Sequence, residues 1–191
     1  MNQIPAQRSR FLRLLGRGVL RLLGWRITGQ MPAEPRFVAI LAPHTSNWDF
    51  LISMAALFEL GLRMQWFGKH TLFRGPLGAL LRWLGGEAVD RSAPDGAVAT
   101  ALERFRTREQ YVLGLAPEGT RRRAETWKTG FHRIARAAGV PIVPVGLDYA
   151  SRLIVIGEPI QPGEDAAADI ARIRGLYHKG MAKYPERFAD P

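Results

Sequence analysis

The chain has 191 residues, with 27 Lys and Arg against 17 Asp and Glu, a net charge of +10. That length fits one domain able to bury roughly 70 % of its unfolded surface, and 47 % apolar with 23 % charged residues is the composition of a folded protein. The absence of cysteine excludes a disulfide framework, a thiolate metal site and a cysteine nucleophile, and no run reaches the roughly 18 uncharged apolar residues of a membrane-spanning helix.

The charge is concentrated at the start. Residues 1–30 hold Arg8, Arg10, Arg13, Arg17, Arg21 and Arg26, six of the ten net charges, and the first acid is Glu34. On a helix, Arg10, Arg13, Arg17 and Arg21 form one stripe. Phe11, Leu14, Leu15, Leu22 and Trp25 fall on another side, with Leu12, Val19 and Leu23 between. The pattern predicts an N-terminal amphipathic helix over residues 1–30 lying in the plane of an anionic membrane surface, followed by a single domain over 31–191. Arg13, Arg17 and Arg21 interrupt the apolar core that a secretory signal needs, and one serine argues against an organellar transit peptide. A helix packed on the core with a solvated basic face is the competing reading. Nucleic-acid binding has only charge in its favour, with no zinc-finger spacing or RNP-like aromatic cluster.

Farther along, Phe37–Leu41 reads as a buried strand stopped by Pro43. His44-Thr-Ser-Asn-Trp-Asp49 leads into a helix over 50–60 that ends at Gly61. Strand 64–67, helix 76–84 and strand 87–89 follow. Ser92, with Asp95 three residues on, caps a helix running to Thr107. Strand 111–115 empties into Ala116-Pro-Glu-Gly-Thr120, helix 129–138 stops at Gly139, strands 140–147 and 153–156 come next, and a final helix spans 165–184. Strands alternating with helices predict an α/β fold with a mostly parallel or mixed sheet flanked by helices on both faces.

Ligands of such sheets bind at the carboxyl ends of the strands. Two strand-exit loops carry reactive groups: one holds His44 and Asp49, the other Glu118, Gly119 and Arg121. Histidine is the side chain suited to remove a proton near neutral pH, and a carboxylate that orients it improves it as a base. Ser46-x-x-Asp49 is also an acidic capping box, which suits the helix dipole. His70, His132 and His178 are isolated and read as surface or packing residues, with no metal site. Trp48, Trp66, Trp83 and Trp127 fill the core or line a channel.

His44-Thr-Ser-Asn-Trp-Asp49 matches an H-x-x-x-x-D block, and Gly68-Lys69, Pro76-Leu-Gly78 and Asp90-Arg91 a second. Pro117-Glu-Gly-Thr-Arg121, Lys128-Thr-Gly130 and Val140-Pro-Ile-Val-Pro144 follow in order. Over residues 36–148 the chain resembles the glycerolipid acyltransferase family, which includes the bacterial lysophosphatidate acyltransferases. The resemblance implies a glycerophosphate acyltransferase-like fold. It also implies O-acyl transfer from acyl-CoA or acyl carrier protein to a lysophospholipid hydroxyl, by default 1-acylglycerol-3-phosphate, to give phosphatidate. His44 is then the general base and Asp49 orients it. Glu118, Gly119, Thr120 and Arg121 form the acceptor block, while Arg91, Arg121 and Lys128 meet the acceptor phosphate. Pro141 and Pro144 shape the strand beside an acyl channel. No cofactor is implied beyond the donor, and the enzyme is expected on the cytoplasmic side of a membrane as a peripheral protein. The chain departs from the family pattern at Ala116, at Arg122 and at His70-Thr71-Leu72, all near the acceptor site. Acylation of another lysolipid or an amino-acid lipid therefore also fits. A non-catalytic lipid- or polyanion-binding module is the alternative; the intact histidine, aspartate and glutamate argue against it.

Overall fold

Arg36–Ala42 is apolar on both sides, as a strand covered on both faces must be. In the computed structural model, which describes residues 5, 6, 9–89 and 96–191, it is β2, near the middle of a seven-stranded sheet. The other strands are β1 (Arg26–Thr28), β3 (Gln65–Lys69), β4 (Gly86–Val89), β5 (Tyr111–Leu115), β6 (Ile142–Asp148) and β7 (Leu153–Ile156), in the spatial order β1-β7-β6-β2-β5-β3-β4. Strands β4, β3, β5, β2 and β6 run parallel; β7 reverses against β6, and β1 runs with β7. The sheet is mixed α/β with helices on both faces, as the alternating pattern requires.

One face is covered by α4 (Gly96–Thr107), α5 (Gly130–Ala138) and α6 (Ala166–Arg174), whose Ala101, Phe105, Phe131, Ile134 and Ile173 pack on Val38, Ile40, Leu113 and Ile142. The other face is covered by α1 (Arg10–Leu22) and α2 (Trp48–Leu60), whose Leu20, Ile52, Ala55 and Ala56 meet Phe37, Ala39, Val112 and Val143. Helix α2 stops at Gly61 and α5 at Gly139; both glycines are left-handed, the conformation that ends a helix without a Cβ clash. His132 is buried on α5 with Nε2 3.0 Å from Asp169 Oδ2 on α6. That contact, with the Gly163 N–H behind it, holds the Asp169 carboxyl below its ordinary range.

Two expectations are corrected. The final helix does not reach residue 184. It ends at Arg174 and the chain continues through 3-10 turns at Lys179–Met181 and Pro185–Arg187. Gly175 weakens the helix and Pro185 cannot continue one. Tyr177, Met181 and Phe188 are buried at spacings a helix face would share, so burial pattern alone does not reveal where the helix stops. Trp25 does not belong to an outward apolar face. It lies beyond α1, is buried, and stacks edge-on against Tyr149 at 4.9 Å. The helix start proposed at Ser92 lies outside the described residues.

Helix α1 is capped by Ser9, whose Oγ accepts from the Leu12 N–H. Its buried side is Gly16 and Leu20, seated on α2; its arginine stripe runs along one flank, where Arg17 pairs with Glu59 at 3.2 Å. Phe11, Leu14, Leu15 and Leu22 stand exposed on the outer side. A Cβ at Gly16 would lie 2.4 Å from the Ala55 carbonyl oxygen and 2.7 Å from the Glu59 nitrogen, both backbone, whereas one at Gly18 would meet nothing. Gly16→Ala is therefore expected to lower stability by about 1–3 kcal/mol through overpacking. Gly18→Ala should be neutral or stabilising by up to about 1 kcal/mol. Urea unfolding of the two variants checks the contrast.

Candidate active site

Strands β2 and β5 are parallel neighbours, with Ile40 opposite Leu115, so the loops after them leave the same edge side by side. That adjacency brings His44 and Glu118 together across 74 positions of sequence. The His44 backbone N–H donates to Glu118 Oε1 at 2.9 Å. Glu118 is itself buried, and burial raises its pKa above the ordinary carboxylate value.

Asp49, in the first turn of α2, is fully buried. Its Oδ2 accepts from the N–H groups of Thr45 and Ser46, both at 2.9 Å, and its Oδ1 from the Tyr149 hydroxyl at 2.6 Å. His44 Nδ1 lies 3.1 Å from Asp49 Oδ2, close in distance but off the line of an aligned hydrogen bond. Catalytic pairs without substrate commonly show this geometry and tighten on binding. The capping and pairing readings of Asp49 are thus not exclusive, since one carboxylate holds the loop amides and faces the imidazole. Ser46 Oγ adds a local turn by accepting from the Trp48 N–H at 3.1 Å.

His44 opens onto a cleft of about 1870 Å³. Its lining includes apolar Met31, Leu41, Phe50, Met54, Leu57, Met64 and Trp66 and the cations Lys69, Arg121, Arg122, Arg123, Lys128, Arg133 and Arg187, and among the described residues no carboxylate lines it. Gly119 turns the β5 exit with φ +66°, and the Lys128 side chain lies across the space where a Cβ would stand. The Arg121 guanidinium donates to Asn47 Oδ1, tying the two loops at the surface. His44, Gly119, Thr120, Arg121 and Lys128 therefore share one cleft, while Asp49 and Glu118 stand buried behind its wall. Arg91 lies outside the described residues. Pro144 is buried in β6 opposite Ile40. Of the tryptophans, Trp66 and Trp127 line the cleft, but Trp48 and Trp83 are exposed, which corrects a core reading for them. The Trp48 ring instead lies under the Lys183 ammonium at 4.7 Å.

Three neighbours of the catalytic loop were not evident from the chain order. Tyr149 sits one residue past β6, and strand-exit position is the only signal that marks it. Tyr184 and Arg187 come from the far end, where the Tyr184 N–H donates to Thr45 Oγ1 and the Arg187 guanidinium to the Thr45 carbonyl.

Comparison with known proteins matches residues 26–148 to the acyltransferase family. The chain belongs to that family. It is 30 % identical to the 1-acyl-sn-glycerol-3-phosphate acyltransferase of Escherichia coli K12, over 97 % of this chain and 84 % of that protein. Identity to the enzyme of the same name from Salmonella typhimurium LT2 is 26 % over the same shares. The crystal structure of the 1-acyl-sn-glycerophosphate acyltransferase PlsC from Thermotoga maritima superposes with a TM-score of 0.59 at 18 % identity, covering 85 % of this chain and 73 % of that one. This last likeness speaks to the fold alone. The matched span includes His44, Asp49 and Glu118, set as described.

The burial of Glu118 generates a stability prediction. A carboxyl whose folded pKa is raised favours the fold while protonated, below the unfolded pKa, and that contribution is lost as pH rises through the folded pKa. Glu118→Gln keeps an oxygen for the His44 N–H but never ionises, so its stability relative to the parent should increase from pH 4 to pH 7. Glu118→Ala leaves that N–H unpaired and should cost about 1–3 kcal/mol. Calorimetric melting across that pH range checks both.

Proposed function

We propose that this acyltransferase moves a fatty acyl group from the thioester of acyl-CoA or acyl carrier protein to the hydroxyl of a lysophospholipid, by default 1-acylglycerol-3-phosphate, giving phosphatidate. The observation that carries the reading is His44, backed by a buried carboxylate, on a cleft lined by both apolar and cationic side chains. The apolar lining suits acyl chains and the cations suit a phosphate. Its relatives are named for the same chemistry.

In this reading His44 Nδ1 faces Asp49, which leaves Nε2 to take the proton of the acceptor hydroxyl. The oxygen attacks the thioester carbonyl directly. The tetrahedral oxyanion then collapses, the C–S bond breaks, and the leaving thiolate recovers a proton from the imidazolium. No acyl-enzyme is required, in keeping with a chain that has no cysteine. Asp49 stabilises the imidazolium, and three hydrogen bonds, from the Thr45 and Ser46 N–H groups and the Tyr149 hydroxyl, hold its carboxylate in place. Glu118 sets the position of the His44 backbone rather than acting as a charge for substrate. Arg121 and Lys128, with Arg91, hold the acceptor phosphate.

Helix α1 supplies the route to the lipid. Among the described residues no helix is long and apolar enough to cross a membrane. Phe11, Leu14, Leu15 and Leu22 face outward beside the arginine stripe, which suits peripheral attachment to an anionic leaflet on the cytoplasmic side.

His44→Ala should abolish transfer with the fold intact. Asp49→Asn should lower kcat by roughly 10²–10⁴-fold. Tyr149→Phe removes one hydrogen bond to the carboxylate and should lower kcat by about tenfold. Turnover of a labelled acyl thioester on a dispersed lysolipid, with circular dichroism as the folding control, checks the series; near-parental turnover by His44→Ala would overturn the mechanism. Arg121→Ala or Lys128→Ala should raise KM for the acceptor about tenfold and leave KM for the donor near its parental value. Equal changes in both KM values would remove these cations from a dedicated phosphate site.

A further inference from the structure

A second group of apolar side chains faces solvent away from α1. Leu77, Leu80 and Trp83 recur every third residue along α3 (Gly75–Trp83) and are 59 %, 50 % and 55 % exposed. Leu72, in the 3-10 turn His70–Phe73 just before α3, is also exposed. This face is fixed in direction. A Cβ at Gly78 would lie 2.3 Å from the backbone of Phe73, so α3 is clamped on its opposite side. Within the segment between Gly61 and Gly86 that carries it, the charges are of one sign, Arg63, Lys69, Arg74 and Arg82 with no acid, and the acids that bound it, Glu59 and Glu87, are paired with Arg17 and with Arg104 and Arg108.

Helices α1 and α3 flank the same residue of α2. Gly16 of α1 packs against Phe58, and the Trp83 ring lies 6.1 Å from the Phe58 ring. The two helices therefore sit against the same stretch of α2. The cleft reaches the α3 side: Leu51 of α2, Leu72 and Leu77 are each exposed and each line it.

We propose that the face formed by Leu72, Leu77, Leu80 and Trp83 is a second bilayer contact, which enters an anionic leaflet beside α1. The lip at Leu51, Leu72 and Leu77 then opens into the acyl layer, so a lipid reaches His44 without its chain crossing water. The route to His44 rests on the lysolipid reading above; the docking does not. Leucines and a tryptophan set among lysine and arginine, whose stems run along apolar surface and whose heads reach phosphates, fit an anionic lipid surface. A second copy of the chain is a poorer occupant, because a two-fold contact would bring Lys69, Arg74 and Arg82 against their own equivalents.

The test uses the full chain with α1 intact. Leu80→Glu, alone and with Trp83→Glu, should weaken co-sedimentation with phosphatidylglycerol-rich vesicles by about tenfold or more. Turnover on a dispersed lysolipid should stay within about threefold, because neither residue lines the cleft. Since the chain has no cysteine, Leu80→Cys labelled with an environment-sensitive fluorophore gives a local readout. Its emission should shift to the blue on these vesicles, while the same label at Ala167→Cys, on the opposite face of the sheet, should not shift. Unchanged vesicle binding by the double variant, or no shift at position 80 while the chain is vesicle-bound, overturns the proposal. So does a dimer in sedimentation velocity that Leu80→Glu dissolves. A blue shift with no turnover on any lysolipid leaves the docking standing and removes the lysolipid reading instead.

Discussion

A carboxylate with no exposure is tolerated only when donors surround it. Asp49 is such a group, and the architecture of the active edge follows from satisfying it. The N–H groups of Thr45 and Ser46 must turn inward, which curls the loop back on the start of α2 and sets His44 beside the carboxylate. The Tyr149 hydroxyl must reach the other oxygen, which requires the exit of β6 to lie next to the exit of β2. Tyr149 in turn needs a wall, and Trp25 provides it from the link between α1 and β1.

Sheet order does the rest. Because β5 and β6 flank β2 on either side, three exits meet at one edge, and each contributes a different kind of group. The β2 loop brings the histidine, the β5 loop a buried acid that pins the backbone of that histidine, and the β6 exit a hydroxyl. The cations of the β5 loop remain at the surface. Buried groups thus position the histidine, and the exposed ones are left facing the cleft.

Much of this was legible in the chain because it is local. His44 and Asp49 lie five residues apart across a strand exit, and Pro117 to Arg121 is a contiguous turn. Gly61 and Gly139 end helices by backbone conformation alone, so their effect can be read without tertiary knowledge. What escaped depends on distance or on absence. Tyr149 meets Asp49 across 100 positions and Arg187 meets Thr45 across 142, separations that no periodicity encodes. The seat of α1 on α2 rests on a missing side chain at Gly16, which a search for apolar residues passes over. β1 spans only three residues, too short to show alternation. The false extension of the last helix came from its good helix formers and from Ile173, Tyr177 and Met181, which recur every fourth residue as on a helix face although the helix ends at Arg174.

The clasp of Tyr184 and Arg187 on Thr45 bears on how the protein is made. Chains leave the ribosome with their N-terminus first and fold as their parts emerge, so the catalytic loop is synthesised long before the residues that brace it. A nascent chain arrested after β7 would hold all the reactive side chains, yet its histidine loop would lack this support. The bracing of this loop is thereby coupled to the arrival of residues 184–187, and Thr45 gains both contacts only in a chain translated through that stretch.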